Sequence, residues 1–424
     1  MPAPAMPAPA VPALVRTEPV PEGQGLPWWR ERSPRPVIFN DDEEEPLPEG
    51  VDEELLLPML FHPRVNGLAD ERDLELAPGA QLAARYCVQR LVGKGGFADA
   101  YLCTRDGRGM GGGAALSDVC LKVVRSQPES VLGSVDEVRV LKLLRAADPL
   151  GARAVQRLVD FFFFKEHLVI VTTYAGESLR AFYRTSGDER RHAFFLRDGG
   201  LASLTVQLAD ALSLLHQHDI AHADVKPENV CVAVAGASPL FTLIDFGSTV
   251  FRHAAHNSYV QSRWYRAPEV MLGASWGVGV DVWSLGCVLA EVLLGAPLFK
   301  ASSVERVLAS HVAVLGPLPS SLLNRASEVV RMDEALNAAL YDADAAGGLV
   351  RLYPRANRLD QLLPPAAVAQ PTLLELLKGM LALDPTERVT ALEVRWHRFL
   401  DGRDPPPRAC ERDDGFAPVA RLDA

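Results

Sequence analysis

Residues 222–229, His-Ala-Asp-Val-Lys-Pro-Glu-Asn, gather a carboxylate (Asp224), an ammonium (Lys226) and a carboxamide (Asn229) in one short segment. Such a trio suits transfer of a phosphoryl group. Asp224 would orient an attacking hydroxyl and accept its proton, Lys226 would neutralise charge on the group in flight, and Asn229 would hold a magnesium ion. Asp245-Phe246-Gly247 follows a hydrophobic strand-like run and offers Asp245 as the main magnesium ligand. The hard Mg2+ ion takes carboxylate, carbonyl and phosphate oxygens, which these residues and a nucleotide supply. Gly93-Lys94-Gly95-Gly96-Phe97-Ala98-Asp99-Ala100 lies between two strand-like runs. Glycines there let the backbone approach phosphates and offer N–H groups to them. The loop joins strand to strand, which excludes the strand-to-helix dinucleotide fingerprint. Lys122 alternates with apolar residues in Val119-Cys-Leu-Lys122, and Glu137 stands on the following helix-like run. A lone strand lysine is usually a solvated edge charge. Placed just after a glycine loop, Lys122 with Glu137 reads instead as a phosphate-holding lysine positioned by a carboxylate.

The elements that must position these groups are legible from apolar spacing. Tyr86–Leu91, Ala98–Cys103 and Val119–Val124 are short apolar or alternating runs, the pattern of an antiparallel sheet. The glycine-rich stretch Arg105–Ala115 reads as a hairpin loop between the second and third. Val131–Leu144 has helical spacing, and Arg157–Phe164 and His167–Tyr174 read as two further strands, with Phe161–Phe164 a buried one. Beyond them Leu201–His216, Val280–Leu294, Ser303–Val314 and Thr372–Leu383 carry helical patterns. The expected fold class is α+β: a small antiparallel β lobe with one helix, then a large, mainly helical lobe. Residues 1–50 are rich in Pro and Ala with the acidic run Asp41–Glu45, and are expected to be a disordered arm. Residues 51–85 hold an apolar cluster, Leu55–Leu57 with Met59–Phe61, that could dock on the small lobe. Residues 86–400 form the main domain, divided at 175/176, with a helical insert at about 300–365, and 401–424 are a tail.

The chain of 424 residues has a net charge of −11, which speaks against a general nucleic-acid or anionic-membrane binder. Its six scattered cysteines suit reduced thiols inside a cell, in cytoplasm or nucleus, better than a disulfide framework. The apolar N-terminus lacks a basic start and is broken by prolines, so no secretory signal is expected, and no apolar run is long enough to span a membrane.

Taken in order, these motifs with Ala267-Pro-Glu269, Asp281-Val-Trp283 and Arg388 resemble the eukaryotic protein kinase superfamily over about Tyr86–Leu400. The resemblance implies the two-lobed kinase fold, ATP between the lobes, Mg2+, protein substrates, and in-line transfer without a covalent intermediate. It implies structural roles for His222, Phe246 and Gly247, pairing of Glu269 with Arg388, and Asp281 bracing the catalytic loop. Within the superfamily the chain resembles the dual-specificity tyrosine-regulated (DYRK) family. Ala223 stands where most kinases carry arginine, and Ser258-Tyr-Val-Gln-Ser-Arg-Trp-Tyr-Arg-Ala-Pro-Glu269 is similar to that family's activation segment. By that likeness Tyr259 is autophosphorylated, with Arg263 and Arg266 close by to receive the phosphate. Leu315–Pro319 resembles the insert of the group that includes cyclin-dependent and MAP kinases. Val135–Lys142, Asp148-Pro149 and Phe161–His167 look closest to plant-type members.

Alignment to the family puts Thr172 at the back of the ATP pocket, Thr173-Tyr174-Ala175 at the hinge, Ala100 and Cys120 above the adenine and Cys231 below it. Cys120 and Cys231 read as small hydrophobes. Ala98 replaces the third loop glycine and Ala100 a usual valine. None of these departures removes a phosphate, metal or base group. A nucleotide-binding scaffold without catalysis is the alternative, supported by Ala98 and Ala223 alone. A small-molecule kinase is disfavoured by the Ala267-Pro-Glu269 segment. Arg30-Glu-Arg-Ser33-Pro34 places arginine three residues before a Ser-Pro, which makes Ser33 a candidate phosphosite. The oligomeric state is not written in these motifs; a monomer is the expectation.

Overall fold

The computed structural model describes residues 15–19, 74–105, 117–165, 167–235, 238–251, 260–323, 340–343 and 349–400. Of these, 74–176 and 244–248 form one compact unit, and 15–19, 177–243 and 249–400 form a larger one. Strand β1 (Val15–Pro19) is part of the larger unit.

The smaller unit is a six-stranded antiparallel sheet with one helix. Strands β2 (Gln81–Leu82), β3 (Tyr86–Lys94), β4 (Ala98–Arg105), β5 (Ser117–Val124), β6 (Leu158–Phe164) and β7 (His167–Thr173) run in the spatial order β2-β3-β4-β5-β7-β6. Helix α1 (Pro128–Ala147) enters between β5 and β6 in sequence. Side chains alternate across a strand, so Val119, Leu121 and Val123 bury one face of β5 and leave Cys120 and Lys122 on the other. The buried face meets Tyr86, Tyr101, Phe162 and Val169. Tyr86 and Phe162 stack with ring centroids 6.0 Å apart, and the Tyr86 hydroxyl donates to Asp160 at 2.8 Å. Phe161, Phe162 and Phe164 are buried in β6. Residues before Tyr86 contribute as well: Leu74, Leu76 and Ala80 pack against this core, and the Leu76 N–H donates to the Tyr101 hydroxyl at 3.3 Å.

The larger unit is mainly helical. It holds β8 (Glu177–Ser178), α2 (Leu179–Thr185), α3 (Gly200–Gln217), β9 (Ile220–Ala221), β10 (Val230–Ala235), β11 (Ser238–Leu243) and β12 (Val250–Phe251). There follow α4 (Gly279–Leu294), α5 (Val304–Leu315), β13 (Leu340–Ala343), β14 (Leu349–Pro354) and α6 (Pro371–Met380). Helix α4 is apolar nearly all round, and every residue from Val280 to Leu293 is buried, as a central core helix requires. A Cβ at Gly286 would stand 3.0–3.1 Å from Leu381 and Met380, so only glycine admits the chain that close to α4. Gly295 ends α4 at φ 77°, in the left-handed region that favours glycine.

Three features of the described residues bear on the expected layout. The arm read as disordered contains a strand: Val15–Pro19 pairs antiparallel with β14, and that strand partner satisfies backbone groups that its composition could not. The insert at 300–365 is not purely helical, because β13 and β14 form a hairpin within it. Division at 175/176 is also incomplete, since Gly176 and Ile244–Ser248, with Asp245-Phe246-Gly247, pack with the smaller unit. The apolar cluster at 55–61, the loop 106–116, the Asp41–Glu45 run and the tail 401–424 lie outside the described residues. Among the described residues no helix is long and apolar enough to cross a membrane.

Candidate active site

In the smaller unit three charged groups meet. Lys122 Nζ lies 2.7 Å from Glu137 Oε2 and 2.8 Å from Asp245 Oδ1. Burial works against the Lys122 ammonium, but the two carboxylates outweigh it and raise its pKa, so the lysine stays charged. Burial likewise pushes the Glu137 carboxyl upward, while Lys122 and the Phe246 N–H pull it back. With the ammonium at 2.7 Å, the ion pair is the form this geometry holds. Asp245 sits at φ 64°, a left-handed conformation that aspartate tolerates better than most residues, and Phe246 is fully buried. Gly247 follows, where a Cβ would stand 3.4 Å from Glu137 Oε2 and 3.6 Å from Lys122 Nζ. The glycine loop is tied down at its base. Gly95 N–H donates to Ala98 O at 3.0 Å, and a Cβ on Gly95 would meet that oxygen at 2.9 Å. Gly93 pairs with Ala100 and Lys94 with Asp99, whereas Gly96 is open and Phe97 is 70% exposed at the tip.

Ala100 and Cys120 sit on β4 and β5, with Ala100 in register with Lys122. Burial pushes the Cys120 thiol up to about 11, so it is an un-ionised, inert group. Thr172 is buried at the end of β7, accepts from Gln156 Nε2 at 2.7 Å, and precedes Thr173, Tyr174 and Ala175. Cys231 belongs to the larger unit, buried on β10 in register with Thr242 and Ser178.

In the larger unit the segment after β9 converges on Asp224. Its Oδ2 accepts from Lys226 Nζ at 2.7 Å and Asn229 Nδ2 at 3.0 Å, and its Oδ1 from the Ser262 hydroxyl at 2.7 Å. Lys226 also donates to Ser262 Oγ at 3.1 Å, closing the set. Asn229 Nδ2 gives a further bond to Asp224 O, which leaves its side-chain oxygen as the atom for a cation. Beneath the loop, Asp281 on α4 accepts the N–H groups of His222 and Ala223 at 2.8 and 2.9 Å and His216 Nε2 at 3.0 Å. Ala223 is held at φ 58° and fully buried, so no arginine side chain is available here. Glu269 and Arg388 form a buried bidentate pair at 2.6 and 2.9 Å.

This combination is a known arrangement: a strand lysine clamped by a helix carboxylate beside an Asp-Phe-Gly, and a loop carboxylate held by lysine and asparagine. A protein kinase domain family model matches residues 86–400. The chain belongs to the protein kinase family. It is 31% identical over 338 residues to the DYRK-family kinase pom1 of Schizosaccharomyces pombe, across 80% of this chain and 29% of that protein. Dual specificity protein kinase lkh1 of the same yeast is 31% identical over 361 residues, across 78% of this chain and 49% of that protein. Dual specificity tyrosine-phosphorylation-regulated kinase 3 of Mus musculus is 28% identical over 356 residues, across 80% and 58%. These similarities support placement among DYRK-family kinases, and the chain spans from about a third to three fifths of the relatives' lengths.

In this kinase domain the activation segment is described from Val260 onward, so Tyr259 lies outside the described residues, as does Ser33. The arginines expected to receive a phosphate are already engaged. Arg266 donates from Nε to Val260 O and from Nη2 to Gln261 O, both at 2.7 Å, and Arg263 Nη1 donates to Ser302 O at 2.5 Å. Receiving a phosphate would therefore mean adding or exchanging a partner. Sequence reasoning missed four contributors. Ser262 gave no signal beyond being a hydroxyl residue in the activation segment. Arg125, which donates to Gly95 O at 3.2 Å, immediately follows β5 and could have been found from that place. Gln261, at φ 66°, ties the segment to Val280 O and Ser284. Glu291 is a fully buried carboxylate that accepts from the Tyr183 hydroxyl, from Tyr265 at 2.6 Å and from Arg180 at 3.2 Å. Arg180 in turn reaches Glu228 of the catalytic loop at 3.1 Å. A carboxylate within the apolar run Leu285–Leu294 was the available signal for Glu291.

Proposed function

We propose that this chain is an active protein kinase that transfers the γ-phosphoryl group of ATP to serine or threonine of proteins, and matures by phosphorylating its own Tyr259. The observation that carries the reading is the Asp224 carboxylate held by Lys226, Asn229 and Ser262, the arrangement a base needs to orient a hydroxyl. Lys122, positioned by Glu137, holds the α- and β-phosphates under the loop Gly93–Ala100, and Lys226 offsets charge on the transferred group. By the family resemblance the adenine would be held by Ala100, Cys120, Thr172 and the hinge Thr173–Ala175, with Cys231 the residue expected below it. The oxygen donors Asp245 and Asn229 would hold magnesium, whose charge would screen the nucleotide phosphates. Catalysis is by positioning and electrostatics. Phosphate on Tyr259 adds roughly −1.5 to −2 charge, which Arg263 and Arg266 would take up. Ala223 removes the clamp that an arginine would otherwise supply from the catalytic loop.

The finer likeness of Val135–Lys142 to plant-type members, action in the cytoplasm or nucleus, a monomeric state and Ser33 as a self-substrate belong to the same reading. The scaffold alternative gains nothing from the site, because Lys122, Glu137, Asp224, Asn229 and Asp245 are all present.

Mass spectrometry of the protein made in bacteria, beside an Asp224→Asn control, tests the proposal. Phosphate on wild-type Tyr259 and none in the control is the expected result. Unmodified Tyr259 in both, with no phosphate passed to a protein substrate, would sink it. For Ser33, equal phosphate on wild type and on a Lys122→Arg variant matured in cells would defeat self-modification.

A further inference from the structure

The larger unit contains a small sheet that the phosphoryl-transfer reading does not use. Its order is β1-β14-β13, so the hairpin strand β14 lies in the middle only because residues 15–19 have joined it. The register is unbroken over five pairs, from Val15 opposite Pro354 to Pro19 opposite Val350. Without β1 the hairpin would be a two-stranded ribbon with an unpaired row of β14 backbone groups. All three strands lie against α5. More than three hundred residues of chain separate β1 from β14, so this is a long-range addition of a strand to an edge and not a hairpin.

The sequence of the added strand fits that edge. Glu18 stands opposite Arg351, which itself stands opposite Tyr341, and Arg16 stands opposite Tyr353. Directly opposed charges of unlike sign favour a register, and a slip of two residues in one direction would set Arg16 opposite Arg351. Pro19, which has no N–H to donate, sits at the end of the pairing and stops it there. We propose that the β14 edge is a strand-docking site on the larger unit, and that its resident ligand is the Val15-Arg-Thr-Glu-Pro19 segment of the same chain, held in cis by main-chain bonds and set in register by Glu18 and Arg351. The mode is β-strand addition, in which main-chain bonds supply affinity and opposed side chains supply choice. The docked strand holds residues 15–19 on the larger unit.

Hydrogen exchange on the full chain tests this. Consecutive residues of an antiparallel strand point their N–H groups to opposite sides. The double variant Arg16→Pro/Thr17→Pro therefore removes a donor toward β14 whichever residue carries it. The β14 amides that face β1 should exchange at least ten-fold faster in this variant. Glu18→Arg should accelerate them less, and Arg351→Glu added to it should restore the slow rate. A synthetic peptide of residues 12–22 should slow exchange in the double-proline variant and leave the wild type unchanged. Equal exchange in wild type and double-proline variant, or no effect of the peptide on that variant, overturns the docking site. Wild-type protection that grows with protein concentration, alongside dimers in light scattering, overturns the in-cis assignment in favour of strand exchange between copies.

Discussion

At the scale of single residues, the chemistry turns on how firmly one carboxylate is aimed. Asp224 receives three side-chain donors, and Ser262 is the only one of them supplied by the activation segment. The Ser262 hydroxyl is thus where the state of that segment can be felt by Asp224, the proposed base. Hydrogen bonds to charged groups contribute about 1.5–3 kcal/mol. Ser262→Ala is expected to lower kcat by roughly ten-fold or more with little change in the KM for ATP, and Ser262→Thr to recover most of it. Steady-state kinetics on a peptide substrate checks this, and an unchanged kcat in the alanine variant would remove Ser262 from the positioning set. Asp224→Asn should cost about 10²–10⁴ in kcat while thermal stabilisation by ATP persists. Both residues lie in segments whose chemistry is visible in sequence, yet only Asp224 stands in a motif. Ser262 lies 38 residues further along the chain and meets Asp224 only through folding.

At the scale of elements, two devices set where the catalytic pieces stand. The glycine loop between β3 and β4 is held at its base by Gly95 and Arg125, and a Cβ on Gly95 would press on Ala98 O at 2.9 Å. Gly95→Val should therefore raise the KM for ATP several-fold and leave the melting temperature nearly unchanged, whereas Gly96→Ala, in open space, should be mild. Titration with ATP and a melting curve of each variant distinguish the two. Helix α5 begins at an N-cap, Ser303, whose hydroxyl accepts from the Arg306 N–H at 3.2 Å. The carbonyls just before it, Ala301 and Ser302, receive Trp264 and Arg263 of the activation segment. Removing the cap with Ser303→Ala should cost about 1 kcal/mol in urea unfolding. Strands and helices of this kind were readable because burial on one face imposes a period of two or of 3.6 on the sequence. The hairpin β13–β14 was not readable, since its segments are short and its third strand comes from the far end of the chain.

At the scale of the whole molecule, stability rests on a few buried polar groups in an apolar helical core. His311 is fully buried with its ring edge-on to Trp283 and Phe299, centroids 4.8 and 4.4 Å away. Neither ring nitrogen has a hydrogen-bond partner among the described residues. Burial, with the nearby Arg388 cation, lowers its pKa from 6.5 to about 3. Between those values the unfolded chain binds the proton and the folded chain does not, so stability falls as pH drops below about 6.5. The loss from this group is about 1.4 kcal/mol on going from pH 7.5 to 5.5. His311→Phe, which keeps the ring and discards the titration, should flatten that part of the pH profile of urea unfolding. An identical slope in the two proteins would mean that His311 is not the source. Arg388→Ala should destabilise far more, by roughly 3–5 kcal/mol at neutral pH, because it strands the buried Glu269 carboxylate.

The amino-acid sequence by itself determined the fold class and carried the motifs on which the proposed chemistry rests. Lys122, Glu137, Asp224, Asn229 and Asp245 sit in local motifs whose spacing is fixed by the backbone they occupy, and the apolar periods around them specify strands first and helices later. Tertiary structure alone decided which distant groups complete those motifs. Ser262 under Asp224, Glu291 beneath Tyr183 and Tyr265, Arg263 on the Ser302 carbonyl, and β1 on the edge of β14 all join residues far apart in the chain. Such pairings leave no period behind. They arise because a buried donor or acceptor must find a partner once water is excluded, and which partner is near depends on the packing of the whole chain.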